Sequence, residues 1–395
     1  MTTRRTTLIG TALLPFLGRT AAAQPATGPI RIGVLVPLTG AGGPYGPGEA
    51  ACVRAVAQEV NAAGGVLGRQ VEVSVEDDQT SPEAAVRAAR KLIDVDRVVA
   101  ILGTWASSVT TAVAPLCWES RTMLCTVSGA DSITQLPHQG YLVRTQPNTL
   151  LQGRKFGEYL LELGTKRAYV MAPQTPFTQS QFASLKAAME RGGGAAELLV
   201  YDDKKPSFRS EVDGALRYRP DAIVAGGYTP DTAVLLRDLA RASFGGKVLG
   251  FGYAINAKLV ESLPAEVVEG AYTLSPSPAE GSPAFARVAA VTKQAVPDTY
   301  ACQIYDHANL VLLAIALAGE ASGTAIRDTI RKVSQGGGTS VTGLADGLRL
   351  LAAGQKVDYE GASGPCDFTD IGDVTDVKFR YEQVRAGKVT LLKIG

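Results

Sequence analysis

Histidine is almost missing from this 395-residue chain: only His138 and His307 are present. Metal centres built on several imidazoles, and most histidine proton relays, are thereby excluded. The five cysteines, Cys52, Cys117, Cys125, Cys302 and Cys366, include no CxxC pair and no Cys/His spacing of a zinc site. No metal and no cofactor are therefore expected. An excess of one charge is also missing. Lys and Arg number 39 against 38 Asp and Glu, a net of +1, so no basic face for nucleic acid is expected. After the first two dozen residues no run approaches the ~18 consecutive apolar residues of a membrane span. Leu310 to Ala318 comes nearest, and its length suits a buried helix. Hydrolase and metalloprotease signatures, GxSxG and HExxH, are absent. Tyr201 to Lys205 matches YxxxK, but it follows a strand pattern rather than lying in a helix. No enzyme is expected.

What is present begins at the N-terminus. Arg4-Arg5 precede an apolar stretch from Leu8 to Leu17, and Ala21-Ala22-Ala23 precede Gln24. A positive end, a short apolar run and small residues at the cut are the layout of an export signal over 1–23. Arg4-Arg5 also resembles a twin-arginine signal without its remaining pattern. The chain is thus expected to be exported, to the periplasm, with a soluble mature part from about Gln24. In an oxidising compartment Cys117 and Cys125, at the end of a predicted helix and in the next strand, could form a disulfide. As buried small apolar residues they could equally remain free.

Beyond residue 24 the chain alternates strand and helix patterns. Ile30 to Val36 is a β-branched run of a buried strand, and Gly48 to Asn61 has helical spacing that stops at Gly64-Gly65. Ser81-Pro82-Glu83 caps a helix running to about Leu92. Strands are predicted at 71–75, 98–102 and 123–127, with a helix over 107–118. The rhythm restarts after Arg144, with helices over 150–163, 182–191 and 231–242 and strands over 167–171, 197–201, 221–225 and 247–251. Alternation of this kind predicts parallel sheets covered on both faces, here in two lobes. Residues 283–333 are mostly helical and should pack back on one lobe. Val377 to Ile394 reads as a hairpin around Ala386-Gly387.

Open parallel sheets bind ligands beyond the C-terminal ends of their strands. The first such loop, Pro37 to Gly46, is glycine-rich, yet Pro44 and Tyr45 stand where a dinucleotide loop needs glycine. It presents Tyr45 to a cleft instead. In Gly103-Thr104-Trp105-Ala106-Ser107-Ser108, a serine caps the next helix. The free amides of that first turn, with the Ser107 hydroxyl, could also bind a carboxylate. In Ser128-Gly129-Ala130-Asp131, Asp131 either caps a short turn or contacts a ligand. The loops at Gln174 to Phe177, Gly226 to Asp231 and Gly250 to Tyr253 each set an aromatic residue at a strand end, as a small-molecule cleft would require.

Several runs together resemble the periplasmic leucine/isoleucine/valine-binding protein family of ABC importers. They are Ile32-Gly33-Val34-Leu35-Val36-Pro37-Leu38-Thr39-Gly40, Asn61-Ala62-Ala63-Gly64-Gly65-Val66-Leu67-Gly68, Asp77-Asp78, Val143-Arg144-Thr145 and Gly226-Gly227-Tyr228, in that order. The resemblance implies an α/β fold of type I: two Rossmann-like lobes with parallel sheets joined by a three-strand hinge. It implies a first lobe of 24–145 plus 275–365 and a second of 146–274 plus 366–395. Crossovers would lie near Arg144 to Pro147, Tyr272 to Ser275 and Gly364 to Phe368. A small molecule would lie between the lobes, and hinge closure would present it to the membrane permease subunits of an ABC importer. The protein would act as a monomer.

The resemblance also places ligand-binding positions. Ser107, with the amides near Ala106, Ser108 and Gly129, would meet an amino-acid carboxylate. Tyr45, Trp105, Phe177 and Tyr228 would shape the pocket. Where the family holds an ammonium with a threonine and a glutamate, this chain has Asp131 and Gly252. Asp131 could take over that role for a branched-chain or related amino acid. If it caps a turn, the ligand would be an amine-free aromatic or branched carboxylate, or an amide. A ligand sensor of the same fold is the other reading of the role.

Overall fold

The β-branched run Ile30–Val36 forms β1, at the heart of a five-stranded sheet whose partners are β2 (Val71–Asp77), β3 (Ala100–Gly103), β4 (Met123–Thr126) and β5 (Leu142–Arg144). The order is β2-β1-β3-β4-β5 and every pairing is parallel. β3 and β4 are buried along their whole length, as expected of strands covered by helices on both faces. These features come from a computed structural model that describes residues 28–395. The export segment expected over 1–23 lies outside the described residues.

A second sheet holds β6 (Arg167–Pro173), β7 (Ala195–Tyr201), β8 (Ala222–Ala225), β9 (Lys247–Phe251) and β10 (Tyr272–Pro276). After a small parallel pair, β11 (Thr339–Val341) and β12 (Val357–Tyr359), the chain returns to that sheet as the hairpin β13 (Phe379–Arg385) and β14 (Lys388–Ile394). Its order is β14-β13-β10-β9-β8-β6-β7, with antiparallel pairing only in the last-added hairpin. The molecule is thus an α/β protein of two doubly wound lobes. The helical stretch after Pro283 packs on the first lobe. Its helix Thr299–Ala318 is buried from Thr299 to Ile315 against the helices Gly46–Ala62 and Gly323–Ser334. Among the described residues this helix alone is long and apolar enough to cross a membrane by composition.

Some elements differ from expectation for local reasons. The helix expected from Phe182 begins at Pro176, because Thr175 Oγ1 accepts from the Thr178 amide at 3.0 Å and proline suits the first turn. Phe177 is therefore held in a helical turn rather than a loop. The helix Arg209–Arg217 escaped the pattern search, since only Val212 and Ala215 of its nine residues are buried. The crossings also shift. Residues 272–275 belong to β10 itself, and the chain leaves the second sheet after Pro276. Cys366 and Phe368 pack in the first lobe's core, whereas Phe379 begins β13, so the third crossing runs through 369–378 rather than 364–368.

Arg144, at the end of β5, ties this junction together. Its side chain is fully buried, and its Nε donates to Asp373 Oδ1 at 2.6 Å. Nη1 donates to the carbonyls of Ala130 at 2.7 Å and Ser128 at 3.4 Å, and Nη2 to Thr134 Oγ1 at 3.1 Å. One guanidinium thus joins two crossings and the loop after β4. Nearby, Ser277 donates its amide to Lys378 O at 2.8 Å, linking the second crossing to the third. Arg144→Met leaves Asp373 buried beside an apolar group. It should destabilise the fold by about 3–5 kcal/mol, the cost of breaking a buried ion pair from one side, measured as a fall in the urea midpoint at unchanged slope.

All five cysteines are free and buried, Cys117 and Cys125 included. Burial raises both thiols well above the usual range, to about 12 for Cys117, so neither is a reactive thiolate. Protein unfolded in denaturant without reductant should titrate five thiols per chain with a thiol reagent. Three would mean that one pair had oxidised.

Candidate ligand-binding cleft

β3 ends at Gly103, whose φ of +115° suits glycine alone; a Cβ there would lie 2.4 Å from Leu35 O. The turn that follows delivers Trp105 and Ala106 to the C-terminal edge of the first sheet. Behind it lies a buried hydroxyl cluster. Ser128 Oγ donates to Thr104 O at 2.6 Å, and Thr104 Oγ1 bonds Thr126 Oγ1 at 2.8 Å. These bonds lock the turn after β3 to the loop after β4.

Ala106 is the N-cap of the helix Ser107–Ser120, and no side chain caps it. The first-turn amides therefore keep their donors free at the positive end of the helix dipole. Ser107 is 5% exposed, and its Oγ accepts from the Ala130 amide at 3.1 Å. Its own proton remains available for donation. Gly129 faces the second lobe. A Cβ on it would lie 2.7 Å from the Phe177 ring, so the lobes can meet here only over glycine.

The lobes do meet. Trp105 is stacked on Tyr45 at 5.2 Å between ring centroids, and Tyr228 of the second lobe lies 5.1 Å from its other side. Tyr300 and Tyr253 present edges to it at 5.7 and 6.3 Å. Across the lips, Asn256 Nδ2 donates to Tyr45 Oη at 2.9 Å and Lys258 Nζ to Pro44 O at 3.1 Å.

These groups line a small cavity between the lobes. Of the residues expected at a site, it brings together Trp105, Ala106, Ser107, Gly129, Phe177 and Tyr228. The other four lie outside it. Tyr45 stands behind Trp105. Ser108, half-buried in the first turn of the helix, is not among the lining residues. Gly252 opens on a separate interlobe groove beside Lys258 and Arg380. Asp131 begins a short 3-10 turn, and its Oδ1 accepts from the Leu150 amide at 3.0 Å. Its carboxylate serves the start of the helix Thr149–Glu162, and the role of ammonium partner is not what its geometry offers.

The cavity adds residues that the sequence reading did not select: Gln146, Thr175, Thr178, Tyr253 and Tyr300. Tyr253 and Thr175 sit in loops after strands and carried that signal. Gln146 comes from a crossing, and Tyr300 from the first turn of a helix about 150 residues away. Gln146 is 3% exposed and its Oε1 accepts from Gln303 Nε2 at 2.7 Å, which leaves its own amide hydrogens to the cavity. The Trp105 indole Nε1 is buried within reach of the Tyr300 hydroxyl.

Among the described residues lining the cavity, none carries a carboxylate, an amine, a guanidinium or an imidazole. Burial raises the phenols of Tyr228, Tyr253 and Tyr300 far above their ordinary range, so all are neutral. Asp231, beneath Tyr228, is pushed up to about 6 by burial, and its Oδ2 is taken by the Tyr201 hydroxyl. The site is uncharged, rich in neutral donors, and electropositive only through the helix end.

The model of the family described as "Periplasmic binding protein" matches residues 29–370. Among characterised relatives, the chemotactic signal transduction system substrate-binding protein BasB of Halobacterium salinarum is 26% identical over 355 residues, covering 86% of this chain and 84% of its own. The fold is similar to that of the leucine binding protein LivK from Thermotoga maritima, with a TM-score of 0.80, 24% identity, and coverage of 92% of this chain and 98% of that one. A solute binding protein of an ABC transporter from Rhodopseudomonas palustris, solved with 3,4-dihydroxybenzoic acid, superposes with a TM-score of 0.75 at 20% identity, covering 93% and 97%.

In a Trp118→Phe background, Trp105 is the single tryptophan and its fluorescence reports closure. Adding Gly129→Ala should abolish any ligand-induced fluorescence change and leave the unliganded melting temperature within a degree or two, because the added methyl obstructs Phe177 only when the lobes meet.

Proposed function

Because this chain belongs to the periplasmic binding protein family, we propose that it is the solute-capturing component of an ABC-type importer and that its cargo is a small carboxylic acid. The carrying observation is the uncapped start of the helix Ser107–Ser120, opening on a cavity with the Ser107 proton free. Free amides at a helix N-terminus bind anions through both donors and dipole. The buried Ser107 hydroxyl and the unshared Gln146 amide add donors of fixed position. A carboxylate is also the feature shared by leucine and 3,4-dihydroxybenzoic acid, the ligands named for two of the similar structures. An amide would leave the helix end without its anion.

Export to the periplasm and delivery to membrane permease subunits follow from the family role. The ligand bridges the lobes, holds them closed, and so shifts the population toward the form a permease reads. The protein acts as a monomer in this scheme, and it performs no chemistry on its cargo. BasB supports a second reading, in which the closed form signals to a chemoreceptor instead. Loss of uptake of the bound acid on gene deletion would favour the importer, and loss of chemotaxis with uptake intact would favour the sensor.

The binding claim is tested by thermal shift after unfolding and refolding to strip carried-over ligand. Carboxylic acids should raise the melting temperature, by about 2.7 kcal/mol of stabilisation at a hundredfold excess over Kd, and their amides should not. Ser107→Ala should weaken binding by about 10- to 100-fold, since a hydrogen bond to a charged group contributes ~1.5–3 kcal/mol. Equal shifts from acid and amide would reject the carboxylate.

A further inference from the structure

We propose that the captured acid is an aromatic carboxylic acid bearing no amine, a benzoate-class ligand. The proposal rests on the carboxylate reading above and adds what the rest of the ligand must be.

The first observation concerns charge. An amino acid brings an ammonium as well as a carboxylate into the cavity, and a closed cleft must pair both. No lining side chain among the described residues is acidic. Acids near the lining rings are engaged or neutral: Asp131 accepts from the Leu150 amide, Asp231 holds the Tyr201 hydroxyl, Asp298 accepts from the Tyr300 and Ala301 amides, and burial holds Glu49 far above the usual carboxylate range. The helix end that favours the carboxylate also disfavours a second, positive group beside it. An unpaired ammonium would remain at a cost of several kcal/mol, whereas a monoanion meets only donors.

The second observation concerns shape and wall chemistry. Trp105, Phe177, Tyr228, Tyr253 and Tyr300 supply five rings to the lining. The apolar remainder is Ala106, Val127 and Pro173; no leucine, isoleucine or methionine is among them. The rings pack on one another edge-on and stacked, and a planar ring entering between them as the lobes part would gain the same offset and edge contacts. Both lobes contribute: Trp105 and Tyr300 from the first, Phe177, Tyr228 and Tyr253 from the second. A ring held there therefore couples binding to closure.

The third observation is a neutral donor with no partner in the protein. The Gln146 amide belongs to a nearly fully buried side chain whose oxygen alone is engaged, whereas the Trp105 indole N–H lies within reach of the Tyr300 hydroxyl. Buried donors are ordinarily satisfied. An anionic ligand rich in acceptors and free of competing donors satisfies the Gln146 amide, and an ammonium does not.

The experiment is calorimetric titration of the stripped full chain with matched probes: benzoate, 4-hydroxybenzoate, cyclohexanecarboxylate, 4-methyl-2-oxopentanoate, phenylalanine, leucine and benzamide. Benzoate or 4-hydroxybenzoate should bind tightest. Phenylalanine and leucine should be weaker by at least about 100-fold, the ammonium cost expressed as affinity. Cyclohexanecarboxylate, similar in size but without the π-system, should be about tenfold weaker than benzoate. Phe177→Leu should reduce that last preference, and circular dichroism would show whether the variant folds; Tyr228→Leu provides the same test from another element. Leucine or phenylalanine binding as tightly as benzoate overturns the amine-free assignment. Tighter binding of 4-methyl-2-oxopentanoate than of either benzoate overturns the aromatic one and leaves the carboxylate reading standing. Benzamide binding as well as benzoate rejects the carboxylate reading itself, and failure of every probe at millimolar concentration rejects both.

Discussion

The ion pair between Arg144 and Asp373 is the interaction on which the cleft depends. A buried guanidinium must place all its donors, and here they reach the third crossing, two carbonyls of the loop after β4 and a threonine beyond it. That loop carries Gly129 and the Ala130 amide that orients Ser107. The position of Ser107 at the start of its helix is therefore coupled to the geometry of the crossings. An apolar core residue at 144 would pack equally well but would leave those carbonyls unpaired. Next to it, Thr145 Oγ1 bonds His307 Nε2 at 2.8 Å. Burial lowers the imidazole to about 3, so this second tie is neutral across ordinary pH.

Around this anchor the protein keeps charge out of the cavity while retaining many acids close by. Asp306 is pushed up to about 6 by burial, yet four donors from Tyr359, Ala362 and Ser363 surround it and fasten the central helix to the loop after β12. Glu49, in the first turn after Tyr45, is fully buried with neither carboxyl oxygen paired. Burial, with Asp298 and Asp78 nearby, holds it far above its usual range and thus neutral. The aromatic compartment is bounded by acids that are either neutral or already bonded, which is why its own field is set by a helix end.

The contacts between the lobes run through the aromatic cluster that lines the cavity. Tyr45 receives a hydrogen bond from Asn256 across the lips and at the same time backs Trp105. Phe177 touches the other lobe over the bare backbone of Gly129. In the proposed role, a ligand held there would contact both lobes at once, and its affinity would be linked to closure.

The periodic patterns of the chain carried most of the architecture. Strand and helix alternation, capping serines and the C-terminal hairpin were legible because they depend on neighbours in sequence, and family-like runs such as Asn61 to Gly68 placed them in a known order. Legibility failed where the cause was not local. Phe177 follows a strand and so reads as a loop residue, although Thr175 caps a helix that includes it, and only packing places Cys366 and Phe368 in the first core rather than at the third crossing. Loops at strand ends pointed to Trp105, Ser107, Gly129, Phe177 and Tyr228. They could not say whether Asp131 faced a ligand or a helix end, since both uses ask for the same residue. That choice, and the arrival of Gln146 and Tyr300 from distant segments, was made by the tertiary structure alone. An uncharged cavity is a property of which side chains converge, and convergence in space leaves no periodic mark along a chain.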